Sequence, residues 1–113
     1  MKTVIRESGP VKIVEFAGSL DTNTSEEAQR QLDALVEQGA TKILANFAGL
    51  DFVSSSGLRI LLVIAKKLSP LNGELAISNT NETVREVFAI SGFDTILKVY
   101  DKEEDAINSL TGE

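Results

Sequence analysis

Apolar residues along this chain alternate between two spacings. Two short runs open it, Lys2–Glu7 and Val11–Ala17, on either side of Ser8-Gly9-Pro10. A Gly-Pro step between β-rich runs predicts a hairpin or tight reversal. Ala28, Leu32, Leu35 and Val36 then recur at helical spacing, with Thr24 and Glu27 placed for a capping box and Gly39 for a left-handed C-terminal cap. Lys42–Phe47 reads as a strand and Ser56–Leu68 as a helix, stopped by Ser69-Pro70-Leu71-Asn72-Gly73. Glu74–Ser78 is the next predicted strand, with Leu75 and Ile77 on one face. Asn81–Ser91 is the next helix, with Val84, Val87 and Phe88 inward and Gly92 closing it. A short strand, Thr95–Tyr100, precedes a last helix that carries Ala106, Ile107 and Leu110 and is capped by Asp101 with Glu104.

The order is β-β-α-β-α-β-α-β-α. Strands alternating with helices predict an α/β fold: a mixed, mostly parallel sheet with about four helices and one antiparallel strand from the opening hairpin. A length of 113 residues suits one domain, and no repeat, linker or low-complexity tract divides it.

Composition narrows the chemistry. There is no cysteine and no histidine, which removes disulfides, thiolate nucleophiles, the usual zinc sites and histidine acid/base catalysis. A net charge of −6, with only Lys66–Lys67 adjacent among the basic residues, argues against nucleic acid. The longest apolar run, Ile60–Ala65, is far short of a membrane span, and Met1–Pro10 lacks the apolar core of a signal peptide. A cytoplasmic protein is expected.

The segment that strand and helix leave between them is the most informative. Ser54, Ser55 and Ser56 precede Gly57 at the start of an apolar helix, where unpaired N–H groups and the dipole favour anions. Ser54 is the best N-cap, its hydroxyl accepting from the N–H of Ser56 or Gly57. Val53 and Leu58 then stand at the two ends of a hydrophobic staple. Ser55 falls at the first helical position with its hydroxyl free and outward, and Gly57 leaves the backbone open to a group approaching from solvent. Three serines before a helix also serve simply as caps. The pattern is neither GxSxG nor a phosphate-cradling loop, so Ser55 reads as a substrate of another enzyme, and no catalytic residue, metal or cofactor is expected.

Two further features carry alternatives. In Gly18-Ser19-Leu20-Asp21-Thr22-Asn23-Thr24, Asp21 sits at a strand end: it either lies beside the serine turn or shapes its own loop through Asx-type bonds. An enzyme using Asp21 as base is the weakest reading. The helix after the serines, with Leu58, Ile60, Leu61, Leu62, Val63, Ile64, Ala65 and Leu68, is apolar over more than one stripe. Such a helix is either deeply buried or covered by a partner.

GSLDTNT, NFAGLDFVSSSGLRILLVIAKKL and SNTNETVREVFAISGF, in this order over nearly the whole chain, resemble the STAS-domain anti-sigma-factor antagonists. The resemblance implies a single STAS-like domain over residues 1–113 and a partner-switching cycle. An unphosphorylated antagonist binds an anti-sigma factor that is also a serine kinase, and so frees the sigma factor. The kinase, using ATP, phosphorylates a serine at the start of the second helix and ends the association. A metal-dependent serine phosphatase reverses it. Carried onto this chain, the acceptor is Ser55, with Ser54 and Ser56 as rivals, and the loop aspartate is Asp21. The partner-binding set is Asp21, Thr22, Ser54, Ser56, Gly57 and Leu58. Many members have aspartate immediately before the acceptor, where this chain has Ser54. The cap survives that exchange, but one fixed negative charge is missing. STAS-like domains also act as interaction subunits of signalling scaffolds or of lipid- and anion-transport complexes, which is the alternative role.

Overall fold

The structure is a computed structural model and describes residues 1–112. Strands β1 (Lys2–Ser8) and β2 (Val11–Leu20) form the opening hairpin. They are followed by α1 (Ser25–Glu37), β3 (Lys42–Val53), α2 (Ser55–Leu68), β4 (Glu74–Ser78), α3 (Glu82–Ser91), β5 (Lys98–Tyr100) and α4 (Glu103–Thr111). Gly9 turns the hairpin with φ 55°, a conformation that glycine adopts without a steric cost, and Pro10 supplies the second turn residue.

The sheet has five strands in the order β1-β2-β3-β4-β5. β1 is antiparallel to β2, and β2 to β5 run parallel. Because each crossover steps to the next strand in the same direction, right-handed connections put α1, α2 and α3 on one face. The main core lies there: Ala28 and Leu32 of α1, Leu61 and Ile64 of α2, and Val84 and Phe88 of α3 pack onto Val14, Phe16, Ile43 and Phe47. Phe16 and Phe47 meet edge to face, centroids 5.8 Å apart. The other face is covered by α4, whose Ala106 and Leu110 pack on Val11, Ile13, Leu44 and Ala76.

Several boundaries differ from the sequence reading. β3 does not stop at Phe47 but runs to Val53, because its pairing with β2 continues to Leu20 opposite Val53, through register slips between Glu15 and Ala17 and again between Gly18 and Ser19. Two such bulges destroy the alternation on which a strand is recognised. β2 likewise extends to Leu20. Residues Phe93–Thr95 form a turn of 3₁₀ helix, so β5 begins only at Lys98. Asp101 does not cap α4, which starts at Glu103 after Lys102; its carboxylate pairs with Arg85 instead.

The Thr24–Glu27 capping box is also absent: Thr24 stands at the N-cap without a side-chain bond to the helix. Its hydroxyl is engaged on the other side, accepting from the Asp21 N–H at 2.9 Å and donating to the Ser19 carbonyl at 2.8 Å. The apolar helix α2 is buried rather than displayed. Leu58, Ile60, Leu61, Ile64 and Leu68 are buried, Leu62, Val63 and Ala65 are half-buried, and α1 lies alongside. Lys67 joins the two helices through Asp33 at 2.6 Å. No described helix is long and apolar enough to cross a membrane.

Candidate functional site

The serine turn lies at the carboxyl ends of β2 and β3, where open α/β sheets carry their functional groups. Ser54 holds extended backbone (φ −92°, ψ 175°) and caps α2: its side chain accepts from the Gly57 N–H at 3.3 Å, and its carbonyl accepts from Leu58 at 2.9 Å. Its own N–H donates to the Leu20 carbonyl at 2.9 Å, fixing the helix start to the end of β2. The N-cap reading of Ser54 thus holds, with Gly57 rather than Ser56 as the donor.

Ser55 is then the first residue of α2 and is exposed. Its hydroxyl has no hydrogen-bond partner among the described residues. Ser56, one position on, is half-buried, and its Oγ lies 3.4 Å from Thr22 Oγ1. The three hydroxyls therefore do three different things: one caps, one faces solvent, one touches the neighbouring loop.

That contact also decides the position of the Asp21 loop. Thr22 brings it against the serine turn, while Asp21 Oδ1 accepts from the Asn23 N–H at 2.9 Å and shapes the loop from within. The Asx-type reading of Asp21 is realised; the loop meets the serine turn through Thr22, and the Asp21 carboxylate reaches none of the three serines by a hydrogen bond.

Gly57 requires a correction. It is buried, and its missing side chain serves packing rather than access from solvent. A Cβ there would lie 2.7 Å from the Leu20 carbonyl oxygen, 2.8 Å from Leu20 Cγ and 2.9 Å from Val53 Cγ2. Leu58 is likewise buried, 5% exposed, in the core under α2. Neither residue offers a surface to a partner, and both hold the turn in place.

Phe52 was missed. It is 44% exposed, two residues before Ser54, on the extended end of β3. A strand taken to end at Phe47 hides it; Gly49 within the run, a frequent mark of a bulge, was the available signal. Asp51 beside it is also exposed. Behind this segment, Asn81 caps α3 by accepting from the Val84 N–H at 2.7 Å and donates its amide to the Leu50 carbonyl at 3.1 Å. Among the described residues no group of acidic side chains is arranged to hold a metal ion.

The family model of the STAS domain matches residues 2–106. The chain belongs to the STAS domain family. It is 34% identical over 106 residues to BtrV of Bordetella bronchiseptica, provisionally named an anti-sigma factor antagonist, covering 94% of this chain and 91% of that one. It is 32% identical over 101 residues to the anti-sigma F factor antagonist of Paenibacillus polymyxa, covering 88% and 86%. The anti-sigma factor antagonist SpoIIAA superposes on this STAS fold in its unphosphorylated form with a TM-score of 0.84, at 28% identity over 99% of this chain and 98% of that one. SpoIIAA in its phosphorylated form matches with a TM-score of 0.73, at 27% identity over 96% and 98%.

Proposed function

We propose that this STAS protein is an anti-sigma factor antagonist switched by phosphorylation of Ser55. With Ser55 unmodified, the turn formed by Asp21, Thr22, Ser54 and Ser56, with Phe52 at its edge, docks on an anti-sigma factor that is a serine kinase, and the sigma factor is released. The kinase transfers the γ-phosphoryl group of ATP to Ser55 Oγ: an O–P bond forms, the bond to ADP breaks, and the hydroxyl proton passes to a base of the kinase. A serine phosphatase hydrolyses the ester and restores the first state. This chain supplies the acceptor and no catalytic group.

The observation that carries this reading is the division of labour among the three serines, which leaves only the Ser55 hydroxyl exposed and uncommitted. The first turn of α2 contains no acidic residue, and the helix dipole favours added negative charge there. The domain thus tolerates a phosphate that a docked partner does not. A loss of about 3 kcal/mol weakens binding more than a hundredfold. The two recorded forms of SpoIIAA, phosphorylated and unphosphorylated, support the same cycle.

The test is incubation with the cognate kinase and ATP, followed by mapping of phosphate by mass spectrometry. Phosphate on Ser55 is expected; phosphate confined to residues outside Ser54–Ser56 overturns the proposal.

A further inference from the structure

One edge of the sheet, that of β1, is unpaired. β1 is bonded only to β2, in an unbroken register from Lys2 opposite Ala17 to Ser8 opposite Val11. The two-residue turn makes Ser8 and Val11 a hydrogen-bonded pair, so alternation along the ladder turns the backbone N–H and C=O groups of Thr3, Ile5 and Glu7 outward. No proline and no bulge protects this edge. At its centre Val4 is 48% and Ile5 50% exposed. Ile5 also lines a groove of about 360 Å³ between β1 and α1, together with Ala34, Leu35 and Gln31. The Oε1 of Gln31 is buried there with no hydrogen-bond partner.

We propose that β1 pairs antiparallel with β1 of a second copy of this chain about a two-fold axis at Ile5, so that one sheet continues through both copies. The residues themselves select the register. A two-fold axis normal to the sheet keeps each side chain on its own face, so it passes through a residue and not between two. An axis at Val4 sets Lys2 against Arg6, and an axis at Arg6 sets Arg6 against itself; like charges directly opposed are unfavourable. An axis at Thr3 leaves the outward groups of Glu7 without a strand to meet.

An axis at Ile5 sets Ile5 against Ile5, Thr3 against Glu7, Val4 against Arg6 and Lys2 against Ser8. It opposes no like charges and uses every outward group of Thr3, Ile5 and Glu7. Two of the three charges on this edge are already paired within the chain, Arg6 with Glu15 and Glu103 and Glu7 with Lys12, and the third, Lys2, stands at the end of the strand, opposite Ser8 in this register. Ile5 shares its face with Val14 of the main core, so the Ile5–Ile5 contact falls beside the α1 groove. The serine turn lies at the ends of β2 and β3, and this pairing does not rest on its function.

Sedimentation of the full chain from micromolar to millimolar concentration tests the pairing. A dimer growing with concentration is expected, weakened roughly tenfold or more by Ile5→Lys. The chain has no cysteine, so single substitutions report on single positions. Under mild oxidation Ile5→Cys chains should join on the order of tenfold faster than Val4→Cys chains, whose thiols lie apart in this register. They should also outpace Ile90→Cys chains, a collision control at a residue 80% exposed. A monomer throughout the range, a dimer indifferent to Ile5→Lys, or equal cross-linking at Val4 or Ile90 overturns the proposal. If circular dichroism shows that Ile5→Lys does not fold, the cross-linking comparison decides alone.

Discussion

The hydroxyl oxygens of Thr22 and Ser56 lie 3.4 Å apart, across thirty-four residues of sequence, and tie the loop before α1 to the first turn of α2. The contact is exposed and long for a bond between hydroxyls, so it positions more than it stabilises. Thr22→Val should change the unfolding free energy by less than about 1 kcal/mol. On the proposed function it should weaken docking on the kinase. Chemical denaturation and a binding titration read the two effects separately.

Ser55 separates folding from regulation. Ser55→Ala should fold with unchanged stability within about 0.5 kcal/mol, bind the kinase and resist phosphorylation. Ser55→Asp should fold equally well, since a carboxylate is favoured in the first turn of a helix, yet bind poorly. Full binding by Ser55→Asp, together with full binding by the phosphorylated protein, contradicts the charge mechanism.

Ser54 has the opposite character. Its side chain satisfies the Gly57 N–H, so Ser54→Ala should cost about 1 kcal/mol, while Ser54→Asp keeps the cap and most of the stability. Urea unfolding midpoints of the three proteins give the comparison. An alanine variant as stable as the parent would show that this cap bond contributes nothing.

Gly57→Ala sets two effects against each other. Alanine is the better helix former by up to about 1 kcal/mol. Its methyl group, however, would press on the Leu20 carbonyl oxygen at 2.7 Å, and that backbone is held by its bond from Ser54. Overpacking at about 1–3 kcal/mol wins, and the variant should be less stable. Thermal unfolding checks the sign.

Acid sensitivity should trace in part to Glu103. Burial alone would raise its pKa, but hydrogen bonds from Arg6 and Asn46 and the charge of Arg6 outweigh burial and hold it below the ordinary value of 4.5. The native state therefore takes up this proton less readily than the unfolded chain. Its contribution to stability is present above the ordinary carboxylate value and is lost as pH falls through the native one. Glu103→Gln should be less stable at neutral pH and lose less on acidification. Unfolding measured from pH 7 downward tests both halves.

Much of the fold was legible because local spacing encodes local structure. The helical stripe Ala28, Leu32 and Leu35 is buried as its spacing requires, and Ser54 caps α2 as its place in the chain suggests. Thr24 and Asp101 failed as caps because each had a competing partner: the Asp21 N–H and Ser19 carbonyl for one, Arg85 for the other. The far half of β3 was illegible because its bulges depend on pairing. Asn46 accepts the Ala48 N–H at 2.9 Å, a local bond, but donates its amide to Glu103 at 2.8 Å, a partner fifty-seven residues away that nothing near Asn46 in the chain announces.

The residues by themselves determined the element order, the α/β class, the absence of histidine and cysteine chemistry, and a serine-rich helix start. The tertiary structure decided which face each helix covers, that α2 is buried, that Gly57 is a point of close packing, and that Thr22 meets Ser56. The division has a physical cause. Periodicity and capping act between residues a turn apart, whereas strand pairing and helix packing join residues whose separation along the chain leaves no local mark.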